Sequence, residues 1–201
     1  DNRMKQLTIA GVALFLLIWI WAEYFRAIPN LTQKGVLKNF QIESITPMSG
    51  TFTVLAKDYY SPRRHVLHPA SPIVGSFSDL ACLSNIDLLL ATEQLNLKQL
   101  ESEFKIQQEQ RCYQLKANNN TGQTQEAFIP ELKNLSVIAS TEQVANQLRQ
   151  VKVGQKIYLK GEWVNAQTPS KGVNLYHRNF DAVKQGKVCG LFRVDQLQNM
   201  S

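Results

Sequence analysis

The sequence predicts an α+β protein: an N-terminal transmembrane helix, then one domain with a long helix and a curved or barrel-like, mostly antiparallel sheet, OB-like or SH3-like. Three observations carry this expectation. Leu7 to Phe25 is an apolar run broken only by Glu23, near the length a helix needs to cross a bilayer core. From Leu135 onward the hydrophobic pattern alternates with period two, interrupted by one short helical interval. Between these, Asp79 to Phe104 sets Leu80, Leu83, Leu90, Leu97, Leu100 and Phe104 at mostly helical intervals.

Residues 1–6 form a stub carrying Arg3 and Lys5, and residues 7–25 the span. The basic flank belongs in the cytoplasm, while Trp19, Trp21 and Tyr24 cluster at the far end as amphipathic rings do at a lipid interface. Everything from about Arg26 then lies outside the cytoplasm. A cleaved signal peptide is the rival reading. It is opposed by bulky Trp, Tyr and Phe where a cleavage site wants small residues.

Residues 26–38, with Pro29 and Gly35 and no clear period, read as a linker, and residues 39–201 as the extracytoplasmic domain. Phe40, Ile42 and Ile45, the Pro47-Met-Ser-Gly50 turn, and Phe52, Val54 and Ala56 suggest a hairpin. Lys57 to Phe77 contains Pro62, Pro69, Pro72 and Gly75 and reads as a loop or lid. Ser78 and Asp79 read as a helix cap, with a contact to a ligand or partner as the sharper alternative. Lys105 to Lys116 reads as a strand.

Beyond Leu135-Ser-Val-Ile-Ala139, a strand, Ser140-Thr-Glu-Gln143 has the spacing of a capping box. Val144, Leu148 and Val151 supply one face of the helix that follows. Gly154 turns the chain into a strand over Ile157 to Val164. Leu175 to Phe180 and Val188 to Val194 read as two more strands joined across Asp181 to Gly186, giving a meander. Arg178 and Asp181 at that turn are either a surface ion pair or a ligand or partner contact.

The chain has 22 Lys and Arg against 16 Asp and Glu, a net charge of +6. The basic residues are scattered, with Arg63-Arg64 the one dense point, so no nucleic-acid partner is expected. Cys82, Cys112 and Cys189 lack the paired spacing of a zinc cluster. In an oxidising compartment two of them can form a disulfide, and spacing does not choose which two.

His65 and His68, with Asp58 or Asp79, are weak candidates for a metal site, since a proline-rich loop lacks the helical scaffold that fixes such ligands. No cofactor or metal is therefore expected. Ser78 with a histidine and Asp79 has no G-x-S-x-G elbow around the serine. Cys189 with His177 could act as nucleophile and base, though a structural cysteine is the commoner outcome.

Several segments taken together resemble an uncharacterised family of bacterial proteins with one membrane anchor and an extracytoplasmic α+β domain. They are Tyr60-Ser-Pro62, Gly75-Ser-Phe-Ser-Asp79, Ile106-Gln-Gln, Arg111-Cys-Tyr113, Asn134 to Ala139, Val151 to Gly161, and Arg178, Asp181, Gly186 and Cys189. The chain departs from that pattern at Ser136 and Ala139, where the family favours His and Pro, at Cys112, where it favours Trp, and at Gly190. The resemblance implies location and shape rather than a reaction.

The function expected is that of a non-enzymatic, single-pass accessory or assembly subunit of a larger envelope complex, seated in a bacterial inner membrane with its C-terminal domain in the periplasm. Its expected partners are the lipid bilayer and other membrane or envelope proteins. The alternatives are a periplasmic hydrolase or metal-dependent enzyme using the His65-His68 loop, and a small-ligand-binding barrel.

Overall fold

A computed structural model describes residues 2–24, 27–61, 64–65, 74–75, 80–109, 111–118, 125–167, 174–176 and 189–200. Helix α1 (Asn2–Tyr24) is long and apolar enough to cross a membrane, and its large side chains, from Met4 to Trp21, all face outward. Such a surface is stable only in lipid or against a partner.

The domain is built on a mixed, mostly antiparallel sheet. Strand β1 (Gln41–Tyr59) has two partners along its length. From Gln41 to Thr53 it pairs with β8 (Lys156–Gln167), and from Phe52 to Tyr59 with β4 (Ile86–Thr92), both antiparallel. β4 pairs antiparallel with β7 (Leu132–Ala139), β7 lies parallel to β10 (Cys189–Met200), and β10 is antiparallel to β8. A row of paired residues followed from Tyr59 through Ile86, Val137, Phe192 and Trp163 therefore arrives back on β1, at Thr46. Short β9 (Asn174–Tyr176) adds to the end of β8.

Three expectations are corrected by this arrangement. Pro47 to Gly50 is no turn, because β1 runs straight through it. Among the described residues, Pro47 sits where β1 has β8 as its only partner, the kind of edge position at which a missing N–H is tolerated. The long helix expected over Asp79 to Phe104 is instead β4 followed by α3 (Leu97–Glu103). Ile86, Leu88 and Leu90 face one core while Leu89 and Ala91 face another. A strand buried on both faces reads as a continuous apolar run, and periodicity alone does not separate that from a helix. The expected meander is also absent, since β10 inserts between β7 and β8.

The main core fills the inside of the ring. Phe52, Val54, Leu88, Leu135, Ile157, Leu159, Trp163 and Phe192 meet there with Val144 and Leu148 of α4 (Glu142–Gln150). The N-cap of α4 is Thr141, one residue later than the expected Ser140, and its Oγ1 accepts from the Val144 N–H at 3.2 Å. The other end of α4 is held by Lys57, whose Nζ donates to the carbonyls of Leu148, Arg149 and Val151 at 2.8–2.9 Å. A cation there satisfies orphan carbonyls and opposes the negative helix end.

Two satellite layers cover the ring from outside. On one side, hairpin β5 (Phe104–Glu109) and β6 (Cys112–Ala117) packs through Phe104, Tyr113 and Leu115 on Leu89, Ala91 and Leu132. On another, residues read from the sequence as an open linker are part of the domain. Ile28 reaches the main core, Leu31 N–H bonds the Ala139 carbonyl at 3.0 Å, and Val36 of α2 (Lys34–Asn39) packs with Phe40 on Ile138, Val164 and Leu191.

Candidate functional site: an acid pair beneath the hairpin tip

Three polar side chains of β1, β4 and β7 fall in one cross-strand row. Register sets Asp58 on β1 directly opposite Asp87 on β4, and Asp87 directly opposite Ser136 on β7. Two carboxylates facing each other across a ladder repel, so the surroundings must offset this. Tyr113 on β6 donates its hydroxyl to Asp58 Oδ2 at 2.5 Å. Arg111, at the hairpin tip, places Nη1 3.3 Å from Asp87 Oδ1 and donates from Nη2 to the Ser84 carbonyl at 2.8 Å.

The guanidinium of Arg111 lies over the Tyr60 ring, 4.1 Å from its centroid, and the Tyr60 hydroxyl accepts from Gln108 Nε2. Among the described residues other than glycine, Arg111 alone has positive φ, at 66°. That conformation is unfavourable for a long side chain and persists where surrounding contacts impose it.

Asp87 is fully buried. Burial raises its carboxyl from the ordinary 3.8 to about 6, with the Arg111 charge and the nearby Ser136 and Tyr60 hydroxyls pulling the other way and Asp58 adding to the rise. Burial, then the Asp87 charge, pushes the Tyr60 phenol well up; burial and the bond to Asp58 do the same to Tyr113. Asp87 Oδ2, Ser136 Oγ and both amide atoms of Asn134 are buried without a hydrogen-bond partner.

The sign of the Asp87 contribution to stability follows from the raised value. A carboxyl that binds its proton more tightly when folded adds stability that is fully present below about pH 4 and is lost as pH rises through about 6. The wild type is expected to lose up to about 3 kcal/mol across this window relative to Asp87→Asn. Urea unfolding of both proteins at several pH values checks it; parallel stability curves would refute it.

A disulfide joins Cys112, next to Arg111, to Cys189 at the start of β10, with Cα atoms 5.5 Å apart. Of the three pairings open from the sequence, this one forms, and Cys82 is not part of it.

Several of the residues expected from the sequence to mark a site are not among those described. Ser78, Asp79, His68, Arg178 and Asp181 are outside the described residues, as is His177. His65 is described only in the backbone of β2 (Arg64–His65), paired with Val74 of β3 (Val74–Gly75). Trp19 and Trp21 are exposed on α1 and Tyr24 ends that helix. Among the described residues no three or more His, Cys, Asp and Glu side chains gather as a metal site.

Sequence reading missed Asp58 and Asp87 as a pair. The available signal was Asp87 itself, a lone charge in the apolar run Ile-Asp-Leu-Leu-Leu-Ala. Comparisons with protein-family models, with curated proteins and with solved structures give no match.

Proposed function

We propose that the chain is a single-pass, membrane-anchored accessory or assembly subunit of a larger envelope complex. Its N-terminus lies in the cytoplasm and its domain in the periplasm of a bacterial cell, as in the family its motifs resemble. The observation that carries this reading is the junction of anchor and domain. Only residues 25 and 26 separate α1 from Ala27, whose carbonyl accepts from Asn85 Nδ2 at 2.9 Å, and Ile28 is already in the core. The three residue steps from Tyr24 to Ala27 span at most about 11 Å, so the domain is held close to the membrane surface, where an envelope complex would meet it.

The ring of strands is read as an OB-like barrel rather than an SH3-like one. Taken in chain order, its five long strands return to the first by way of a parallel third–fifth pairing, with a helix between the third and fourth. In such barrels the outer face of the second and third strands is the usual surface for oligonucleotides and oligosaccharides. Here these strands are β4 and β7, and the chain's own β5–β6 hairpin covers that face under a disulfide. A self-covered face favours a scaffold that engages proteins with its remaining surface.

The test is purification of the full-length protein from its native membrane in mild detergent, alongside a version whose α1 is replaced by an unrelated span. A partner at fixed ratio, weakened or lost in the exchanged version, supports the reading. A lone monodisperse species overturns it.

A further inference from the structure

We propose, on the reading of α1 as a membrane anchor, that the domain docks end-on against the bilayer that α1 crosses. The α4 end of the ring meets the lipid headgroups, and Val153 and Met200 enter the interface. Topology defines that end. β7 runs into α4 and β8 runs out of it, while β4 begins beside the end of β7, with Ile86 opposite Val137. β1 ends there too, with Tyr59 opposite Ile86, and β10 ends beside the start of β8, with Met200 opposite Lys156.

The anchor enters at the same end. Asn85, just before β4, holds the Ala27 carbonyl, and the Leu31 N–H donates to the carbonyl of Ala139, the last residue of β7. A tether of at most about 11 Å between Tyr24 and Ala27 therefore sets this end nearer the lipid than the opposite one, where β1 begins at Gln41 beside Gln167 of β8.

The chemistry of the α4 end suits a lipid surface. Of the large apolar side chains exposed on the described part of the domain, Leu37, Ile45, Val153 and Met200, the last two share this end, at 62% and 46% exposure. One exposed apolar side chain needs no explanation. Two beside the point where the anchor enters lie where the interface can bury them. The turn that carries Val153 is braced: Gly154 N–H donates to the Val54 carbonyl at 2.8 Å, and Val54 N–H to the Gln155 carbonyl at 2.9 Å. Exposed Lys152 stands next to Val153, and a lysine there can lay its stem along the interface and its ammonium on lipid phosphate. Lys156 is paired with Glu93 at 2.8 Å, and the acidic Glu142 lies at the far end of α4. The charge beside the valine is thus positive.

The experiment places a nitroxide spin label at single cysteines in the full chain, reconstituted into vesicles of phosphatidylcholine and phosphatidylglycerol. A Cys82→Ser background keeps the Cys112–Cys189 disulfide. Val153→Cys and Met200→Cys read the docked end from two separate elements, Glu43→Cys, exposed near the start of β1, reads the opposite end, and Leu14→Cys reads α1. Collisions are measured with oxygen, which partitions into lipid, and with a nickel chelate, which stays in water. Labels at 153 and 200 are expected to lose nickel collisions and gain oxygen collisions relative to 43, as the label at 14 does. Water-like labels at 153 and 200 with a lipid-like label at 14 overturn the docking and leave the anchor standing. A water-like label at 14 overturns both. Shielding of 153 and 200 from both reagents marks a contact with a second copy of the chain and also overturns lipid docking. Should Val153→Cys fail to fold, Met200→Cys decides by the same criteria.

Discussion

Gly161→Ala is expected to destabilise the domain by about 3–5 kcal/mol, the most any single methyl group should do here. Gly161 lies on β8 opposite Val194 of β10. A Cβ at this position would overlap the Arg193 carbonyl oxygen and stand 2.7 Å from a ring carbon of Phe192. Neither neighbour can withdraw. The backbone of Arg193 is hydrogen-bonded between β7 and β8, and its side chain is fixed by Glu162 and Asp195 at 3.0 Å and by Ser44 at 3.2 Å. Phe192 is fully buried edge-to-face with Trp163, ring centroids 5.4 Å apart.

Gly35→Ala is the control. It lies in α2 with open space where a Cβ would go, and alanine there should be neutral or stabilise by less than about 1 kcal/mol. Denaturant titrations of the two variants read the difference directly. A Gly161→Ala protein within 1 kcal/mol of wild type would mean that β8 and β10 are not this closely apposed.

Removing the disulfide should have the next largest effect. Cys112 and Cys189 are 77 residues apart, and a cross-link over so long a stretch restricts the unfolded chain by an amount worth about 2–4 kcal/mol. The double variant Cys112→Ser/Cys189→Ser, which avoids mispairing with Cys82, is expected to lose that much in urea unfolding. The loss should concentrate in the hairpin, since Cys112 joins the layer of Phe104, Tyr113 and Leu115 to the ring. Faster amide exchange throughout β5 and β6 with little change in β8 is the expected pattern. Equal stability of the oxidised protein and the double variant would show that packing alone holds the hairpin in place.

What could be read from the sequence was an N-terminal helix long and apolar enough to cross a membrane, and the succession of β7, α4 and β8. Leu7 to Phe25 needs only length and polarity to be recognised, and Ile157 to Trp163 alternates because one face meets the core while the other is partly exposed. The misreadings share a cause: apolar residues answering to two layers. Leu88 to Ala91 lost its alternation because the hairpin covers the face that would otherwise be polar. Ile28 and Val36 looked like a linker because their partners, such as Ile138, Val164 and Leu191 for Val36, are far along the chain. The acid pair was hidden for the same reason. Asp58 and Asp87 become neighbours only through the register of β1 against β4, which no local spacing encodes. Tyr60, Arg111, Tyr113 and Ser136, noticed separately as parts of a family-like pattern, lie around Asp58 and Asp87.

The placement of β10 between β7 and β8 has a consequence for how the molecule comes to be folded. β10 follows the other ring strands in chain order, and β7 and β8 each wait for it with one edge unpaired. A chain emerging from its N-terminus can form β1 with β4 and β4 with β7 early, but no amount of local folding completes the ring until residues 189–200 arrive. Pairings so distant in sequence form slowly, and unpaired edges invite association with other chains in the interval. Assembly of this domain should therefore be late and cooperative, with Phe192 and Val194 entering the core in the same step that joins the two edges.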